Sequence, residues 1–201
     1  MRLVPLLLCL LLLASVPGKA AGDTAALLRT HWDELINDPA SPAVGNPGGD
    51  LTIVEFFDYQ CVYCKADEPI VQKLLAQDKK LRLVYKEVPL LGPLSVAAAH
   101  AALAAARQDK YEPFRTAMLG IRGALDQGAV YLAATVVGLD TARLTQDMKA
   151  PEVERQIAAN LALAKALDIE ATPVFVIGDE VVDGAIDLSG MKILIAKARK
   201  K

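Results

Sequence analysis

Residues 51–57 (LTIVEFF) are apolar and β-rich at almost every position. A strand with no polar face must be covered on both sides, so it belongs in the middle of a sheet. Asp58, Tyr59 and Gln60 separate this run from Cys61. A helical pattern then runs from about Val62 to Gln77, with Ile70, Val71, Leu74 and Leu75 on one face. Pro69 lies inside it, where a proline is expected to kink a helix. Leu81 to Val88 (LRLVYKEV) reads as a second strand. Strand, helix and strand in this order imply that the two strands are parallel.

The rest of the chain has to fit around that unit. Before it, Asp23 to Ile36 reads as one short helix carrying Leu27, Leu28, Trp32 and Leu35. Asn37 to Asp50 is dense in Pro, Gly and Asn and reads as loop. After it, Pro89 to Pro93 (PLLGP) breaks the pattern, and Ser95 to Leu167 holds alanine-rich helical segments with no strand-like run. Breaks are expected at Gln108–Lys110, Gly120–Gly123, Gly138–Asp140 and Ala150–Pro151. The last of these helices carries Val153, Ile157, Leu161 and Ala164 on one stripe. Pro173 to Ile177 is a strand, Gly178–Asp179 a hairpin turn, and Glu180 to Val182 the return strand. Asp187 can cap a final helix with Leu188, Met191, Leu194 and Ile195 facing inward. The order β-α-β, helices, β-β-α describes an α/β fold, a small sheet with an all-helical insertion. Its segments are 21–50 (N-terminal helix and loop), 51–94 (first part of the sheet unit), 95–167 (insertion) and 168–201 (second part).

Residues 1–20 stand apart. Arg2 is followed by a leucine-rich run from Leu3 to Val16, then Pro17, Gly18, Lys19 and Ala20. A charged start, a short apolar core and a small-residue end make a secretory signal peptide, with cleavage expected after Ala20. The run is short for a membrane span, which takes about 20 residues. Without Arg2 and Lys19, 20 basic residues face 24 acidic ones, a net charge of −4. No basic stripe remains, which argues against nucleic acid as a partner. Cys9 leaves with the signal, so the exported chain keeps two cysteines, Cys61 and Cys64. A disulfide closing so small a loop offers little stability even in an oxidising compartment. The pair is therefore expected to serve chemistry.

Cys61 stands where the central strand hands over to the helix. A thiolate there meets unpaired backbone N–H groups and the positive end of the helix dipole. Its pKa should fall below the free value of about 8.5. Cys64, one turn inside, should be more buried and less acidic. Cys61 is thus the attacking thiolate, and Cys64 resolves the mixed disulfide. Half of a zinc site is the competing reading. Zinc takes about four ligands, and neither His31 nor His100 has a suitable spacing, so no metal or other cofactor is expected. Glu55 interrupts the central strand on the face of Ile53 and Phe57. Buried there, its carboxyl would be held protonated more readily and could carry protons for Cys64. The alternative is an edge-strand glutamate in solvent or paired with Lys86. Thr172-Pro173 opens the later strand. Its proline is a candidate for the cis form, presenting a backbone edge to an extended peptide. It also fits an ordinary strand-starting proline.

VEFFDYQCVYC (54–64), Pro69, KEVPLLGP (86–93) and ATPVFVIGD (171–179) together resemble the DsbA family of bacterial proteins. The match runs from about Asn37 to the C-terminus and is closest to the branch that holds the copper-tolerance protein ScsC. The resemblance implies a thioredoxin fold and thiol–disulfide exchange with cysteine-bearing exported proteins in the periplasm. It also implies a membrane redox partner, either a DsbD/ScsB-like reductase or a DsbB-like oxidase. In family terms Glu55 is the buried acid and Pro173 the cis-proline, and Thr172, Pro173, Val62 and Tyr63 face the client. Val62-Tyr63 departs from the Pro-His of strong oxidases, and Tyr63 cannot support a thiolate as a cation. A less acidic Cys61 and an isomerase or reductase are therefore expected, with a disulfide donor as the alternative. A copper(I) carrier using both soft thiolates is another. Against it, Met118, Met148 and Met191 are scattered at positions typical of core. A redox-inactive chaperone would have no need of the pair. Leu90, Leu91 and Leu94 suit either an apolar lip for clients or packing against the insertion.

Overall fold

The computed structural model describes residues 21–200. The signal-peptide reading and Cys9 lie outside the described residues. The sheet is built from β1 (Ala43–Gly45), β2 (Leu51–Phe57), β3 (Leu81–Glu87), β4 (Val174–Ile177) and β5 (Glu180–Asp183). Its order is β1-β3-β2-β4-β5. β2 runs parallel to β3 and antiparallel to β4, and β1 and β5 are antiparallel edges. The apolar run of β2 lies at the centre, as its composition demands, with Ile53 to Phe57 all buried.

Alternation along the strands splits the core in two. Ile53, Phe57, Leu83, Tyr85 and Phe175 face one side, where they meet α3 (Val62–Gln77), α9 (Leu188–Ala198) and the insertion. Val54, Phe56, Val84, Val174 and Val176 face the other. There Leu28 and Leu35 cover them, with Leu163, Ala164 and Leu167 from the end of the insertion. Asp187 caps α9 as expected, its Oδ1 accepting from the Gly190 N–H at 2.7 Å.

The insertion comprises α4 (Pro93–Ala106), α5 (Tyr111–Leu119), α6 (Gln127–Val136), α7 (Thr141–Asp147) and α8 (Pro151–Ala166). All four expected breaks fall between these helices. Asp126 and Asp140 cap α6 and α7 through their side chains. α4 starts two residues before the expected Ser95, because Pro93 suits a first helical turn. Its alanines are buried almost all round, which lets neighbouring helices approach closely.

Two N-terminal expectations are corrected. The single helix over 23–36 is two, α1 (Ala21–Thr30) and α2 (Trp32–Ile36). His31 leaves helical geometry at φ −105° and ψ 17°, and its carbonyl starts the second helix through Leu35 N–H at 2.9 Å. The loop over 37–50 contains β1, whose three residues are held by pairing with β3 and carry no side-chain pattern. A third correction concerns Lys86. Glu55 pairs in register with Tyr85, so Lys86 points to the opposite face. There its ammonium bonds the Ser41 hydroxyl, the Glu34 carbonyl and Asp38, and Glu55 is not its partner.

Arg115 of α5 fastens the insertion to the sheet and is fully buried. One nitrogen donates to Glu68 of α3 at 2.6 Å and another to Glu55 of β2 at 3.2 Å. The guanidinium lies 3.7 Å from the Tyr85 ring centre and 4.8 Å from that of Phe57. Removing one partner of a buried ion pair leaves uncompensated charge. Arg115→Met should therefore lower the unfolding free energy by about 3–5 kcal/mol in urea titration. Arg155→Met, at a 68% exposed side chain in a surface pair, should change it by less than about 1 kcal/mol.

Candidate active site

The turn before α3 is built by Asp58. Its carbonyl accepts from the Cys61 N–H at 3.1 Å, and Oδ1 accepts from the Gln60 N–H at 2.7 Å. The same carboxylate takes the Ser95 hydroxyl at 2.7 Å and the Leu91 N–H at 3.0 Å. The cysteine loop and the 88–95 connection are thereby joined. Reading the sequence missed Asp58. The available signal was an Asp two residues ahead of an N–H at a strand end, the pattern of an Asx turn.

Cys61 is the N-cap of α3, and its Sγ accepts from the Cys64 N–H at 3.2 Å. As a thiol it donates to the Thr172 carbonyl at 3.1 Å. The Thr172–Pro173 peptide is cis, so the cis form is the one observed. Hydrogen bonding from the Cys64 side chain lowers the Cys61 pKa most, to about 6, against the opposing effect of burial. The Thr172 side chain and the Cys64 and Tyr63 backbone N–H groups add to the lowering. Cys64 is fully buried, and burial, then its bond with Cys61, pushes its thiol far above the usual range. The two cysteines therefore differ as expected: one poised as thiolate, the other held as thiol.

Glu55 is fully buried in the central strand, so the reading of an edge-strand glutamate in solvent is overturned. Burial raises its pKa to about 7, and Arg115 opposes that shift. Oε1 has no partner among the described residues. A second buried acid, Glu87, accepts from the Tyr59 hydroxyl at 2.9 Å and the Tyr111 hydroxyl at 2.8 Å. Burial lifts it to about 8. Neither Glu87 nor Arg115 was singled out from the sequence, because their partners come from distant parts of the chain.

Around Cys61 the surface is apolar. Val62 and Tyr63 are 69% and 61% exposed, and Leu91 is 52% exposed, with Leu90 and Leu94 less so. These three leucines are thus exposed rather than enclosed in the interior. Beside it, a groove of about 760 Å³ runs between α3 and the 120–123 turn, lined by Val62, Lys65, Pro69, Thr116 and Ile121 among others. Among the described residues no cluster of three or more His, Cys, Asp or Glu could hold a metal ion. His100 lies 3.0 Å from Glu154 and His31 3.3 Å from Glu34. Met118 and Met191 are buried core. Among the described residues no helix is long and apolar enough to cross a membrane.

In the reduced protein, iodoacetamide at neutral pH should modify Cys61 before Cys64. The rate should fall with a midpoint near pH 6 as the pH is lowered. A midpoint near the free thiol value of about 8.5 would show that neither the Cys64 side chain nor the helix end lowers the thiol. A depressed folded-state pKa adds stability above the unfolded value, and that stability is lost as pH falls towards 6. Relative to Cys61→Ser, the reduced protein should become more stable across this window as pH rises.

The family described as thioredoxin matches residues 37–197. The DsbA thiol:disulfide interchange protein of Bordetella parapertussis is 30% identical over 146 residues, covering 68% of each chain. A Na(+)/H(+) antiporter NhaA of Herminiimonas arsenicoxydans is 28% identical over 171 residues, 83% of this chain and 27% of the antiporter. The chain thus spans about a quarter of the antiporters it matches. A thioredoxin-like oxidoreductase from Silicibacter pomeroyi DSS-3 superposes with TM-score 0.82 at 47% identity, covering 84% of this chain and 98% of that one. The catalytic domain of Proteus mirabilis ScsC gives 0.82 at 27% identity, covering 88% and 99%. With its cysteine pair at the start of α3, the chain belongs to the thioredoxin family, among the DsbA- and ScsC-like thiol–disulfide oxidoreductases.

Proposed function

We propose that this protein exchanges disulfides with exported, cysteine-bearing proteins in the periplasm, working as an isomerase or reductase. The observation that carries the reading is the unequal pair: Cys61, 5% exposed at the N-terminal cap of α3 with its thiol lowered to about 6, and Cys64, fully buried behind it with its thiol pushed up. Cys61 attacks a client disulfide, and Cys64 then displaces the client from the mixed disulfide. Thr172 and Pro173 lie against Cys61 and offer backbone to an extended client segment. Val62, Tyr63 and Leu91 give the apolar surface that an incompletely folded client would meet. Glu55 is the proton reservoir beneath the site, titrating close to neutrality.

The direction follows from the thiolate. A strong oxidase is one whose reduced form is stabilised by a very acidic cysteine, about 3.5 in DsbA. Cys61 at about 6 has much less of that stabilisation. Its disulfide is correspondingly a weaker oxidant, suited to a protein kept reduced by a membrane reductase of the DsbD/ScsB type. The disulfide-donor reading would need a DsbB-like oxidase instead. Copper(I) carriage has less support, because Met118 and Met191 are committed to the core.

The test is the state of the pair in cells. Acid-quenched cells are treated with a heavy alkylating reagent and the mass shift is read on a gel. A mostly reduced Cys61–Cys64 pair is expected, and a mostly oxidised pair would assign the protein to disulfide donation.

A further inference from the structure

Asp67 has no part in the chemistry described above. It lies on α3, three residues after Cys64, and is 1% exposed. Its neighbours on that buried face are Cys64, Val71 and Leu74. A carboxylate is costly to bury unless its oxygens are paired. Here the pairing is partial. The Ile186 backbone N–H, from the connection before α9, meets the carboxylate. Oδ2 is buried with no hydrogen-bond partner among the described residues. The cations close by are engaged elsewhere: Arg115 with Glu55 and Glu68, and Lys65 with the Ile121 carbonyl.

The position says what such a group can do. Helical side chains lean towards the N-terminal turn. The Asp67 carboxylate therefore overlies the turn that carries Cys64. Residues three apart on a helix bring their Cβ atoms to about 5–6 Å. Of the titratable groups around it, Cys61 acts on Asp67 from the helix cap, and Asp67 in turn acts on Glu55 from β2. From the α9 side it meets the Ile186 amide.

We propose that Asp67 is the proton-holding group of the cysteine pair, standing between the thiols and the Glu55 reservoir. The proposal rests on reading Cys61 and Cys64 as the exchanging pair. After Cys61 has attacked a client disulfide, a Cys61–client disulfide exists and Cys64 is still a thiol. As the Cys64 sulfur attacks Cys61 Sγ its proton passes to the Asp67 carboxylate, the Cys61–Cys64 bond forms and the bond to the client breaks. The client sulfur leaves as a thiolate and takes up a proton. The protein dithiol loses two electrons, and the client disulfide gains them. In the reverse direction the same carboxyl returns the proton to Cys64. Burial lifts the Asp67 pKa to about 6, which leaves it ionised at neutral pH and still basic enough to accept.

The test follows mixed-disulfide resolution directly. Reduced protein is mixed with glutathione disulfide, and the Cys61–glutathione species is followed by acid quench and mass spectrometry across pH. In Asp67→Asn, resolution should slow at least tenfold, on the order of what positioned proton transfer contributes. Its pH dependence near 6 should disappear, while formation of the mixed disulfide keeps its rate or rises as a like charge is removed. Asp67→Glu should restore both rate and pH profile. Asp67→Ser, a smaller replacement, should behave as Asp67→Asn. A merely structural Asp67 would change the thermal midpoint and leave the pH profile alone. Wild-type exchange with unchanged resolution in both Asp67→Asn and Asp67→Ser would overturn the role of Asp67 and leave the exchange reading standing. A wild-type protein that fails to react with glutathione disulfide would overturn the exchange reading itself, and this role with it.

Discussion

One buried cation organises the layer beneath the cysteines. Arg115 reaches from the insertion to Glu55 on the sheet and Glu68 on α3. Without it, two carboxylates would face each other in an apolar interior. The desolvation that such a charge costs is offset by two ion pairs and by the faces of Tyr85 and Phe57. The insertion is therefore no appendage. It supplies the charge that lets a carboxyl sit in the central strand, and through Tyr111 it also supplies a donor to Glu87. Sheet, active-site helix and insertion are joined by polar contacts at the same depth as the core.

The cysteines owe their difference to their contact with each other and to their position on the helix. Both are cysteines of one helix, yet one caps it and the other lies under its first turn. The cap residue accepts first from the Cys64 side chain and then from backbone N–H donors, which favour the anion, and the inner residue is held as a thiol by burial. The proposed order of the chemistry, attack by Cys61 and resolution by Cys64, thus rests on three residues of chain length.

Much of this was legible in the sequence. β2, α3 and β3 declared themselves because apolar periodicity and burial agree there. The helices of the insertion were bounded by Gly, Pro and Asp at each break. Cys61 and Cys64 stood out at the turn into a helix, Glu55 as a charge inside an apolar strand, and Thr172–Pro173 as a strand-starting proline that left both the cis and the ordinary form open. What stayed hidden were pairings across the chain. β1 is a strand only because β3 lies beside it. Arg115, 60 residues from Glu55 in sequence, looks like any cation on a helix. Lys86 was offered to Glu55 as a partner because it is charged, but alternation along β3 turns it to the other face. Asp67 reads as one more acidic residue in KADEP until its burial is known.

The two residues between the cysteines carry a consequence of their own. Val62 and Tyr63 are the most solvent-facing apolar side chains at the site, so neither contributes much to holding the fold. Their identities are free to change with little effect on stability, while each stands between the two cysteines in the chain. Redox poise and structural integrity are therefore separate dials on this scaffold. A lineage, or a protein engineer, can retune the first through these two codons and leave the second as it was.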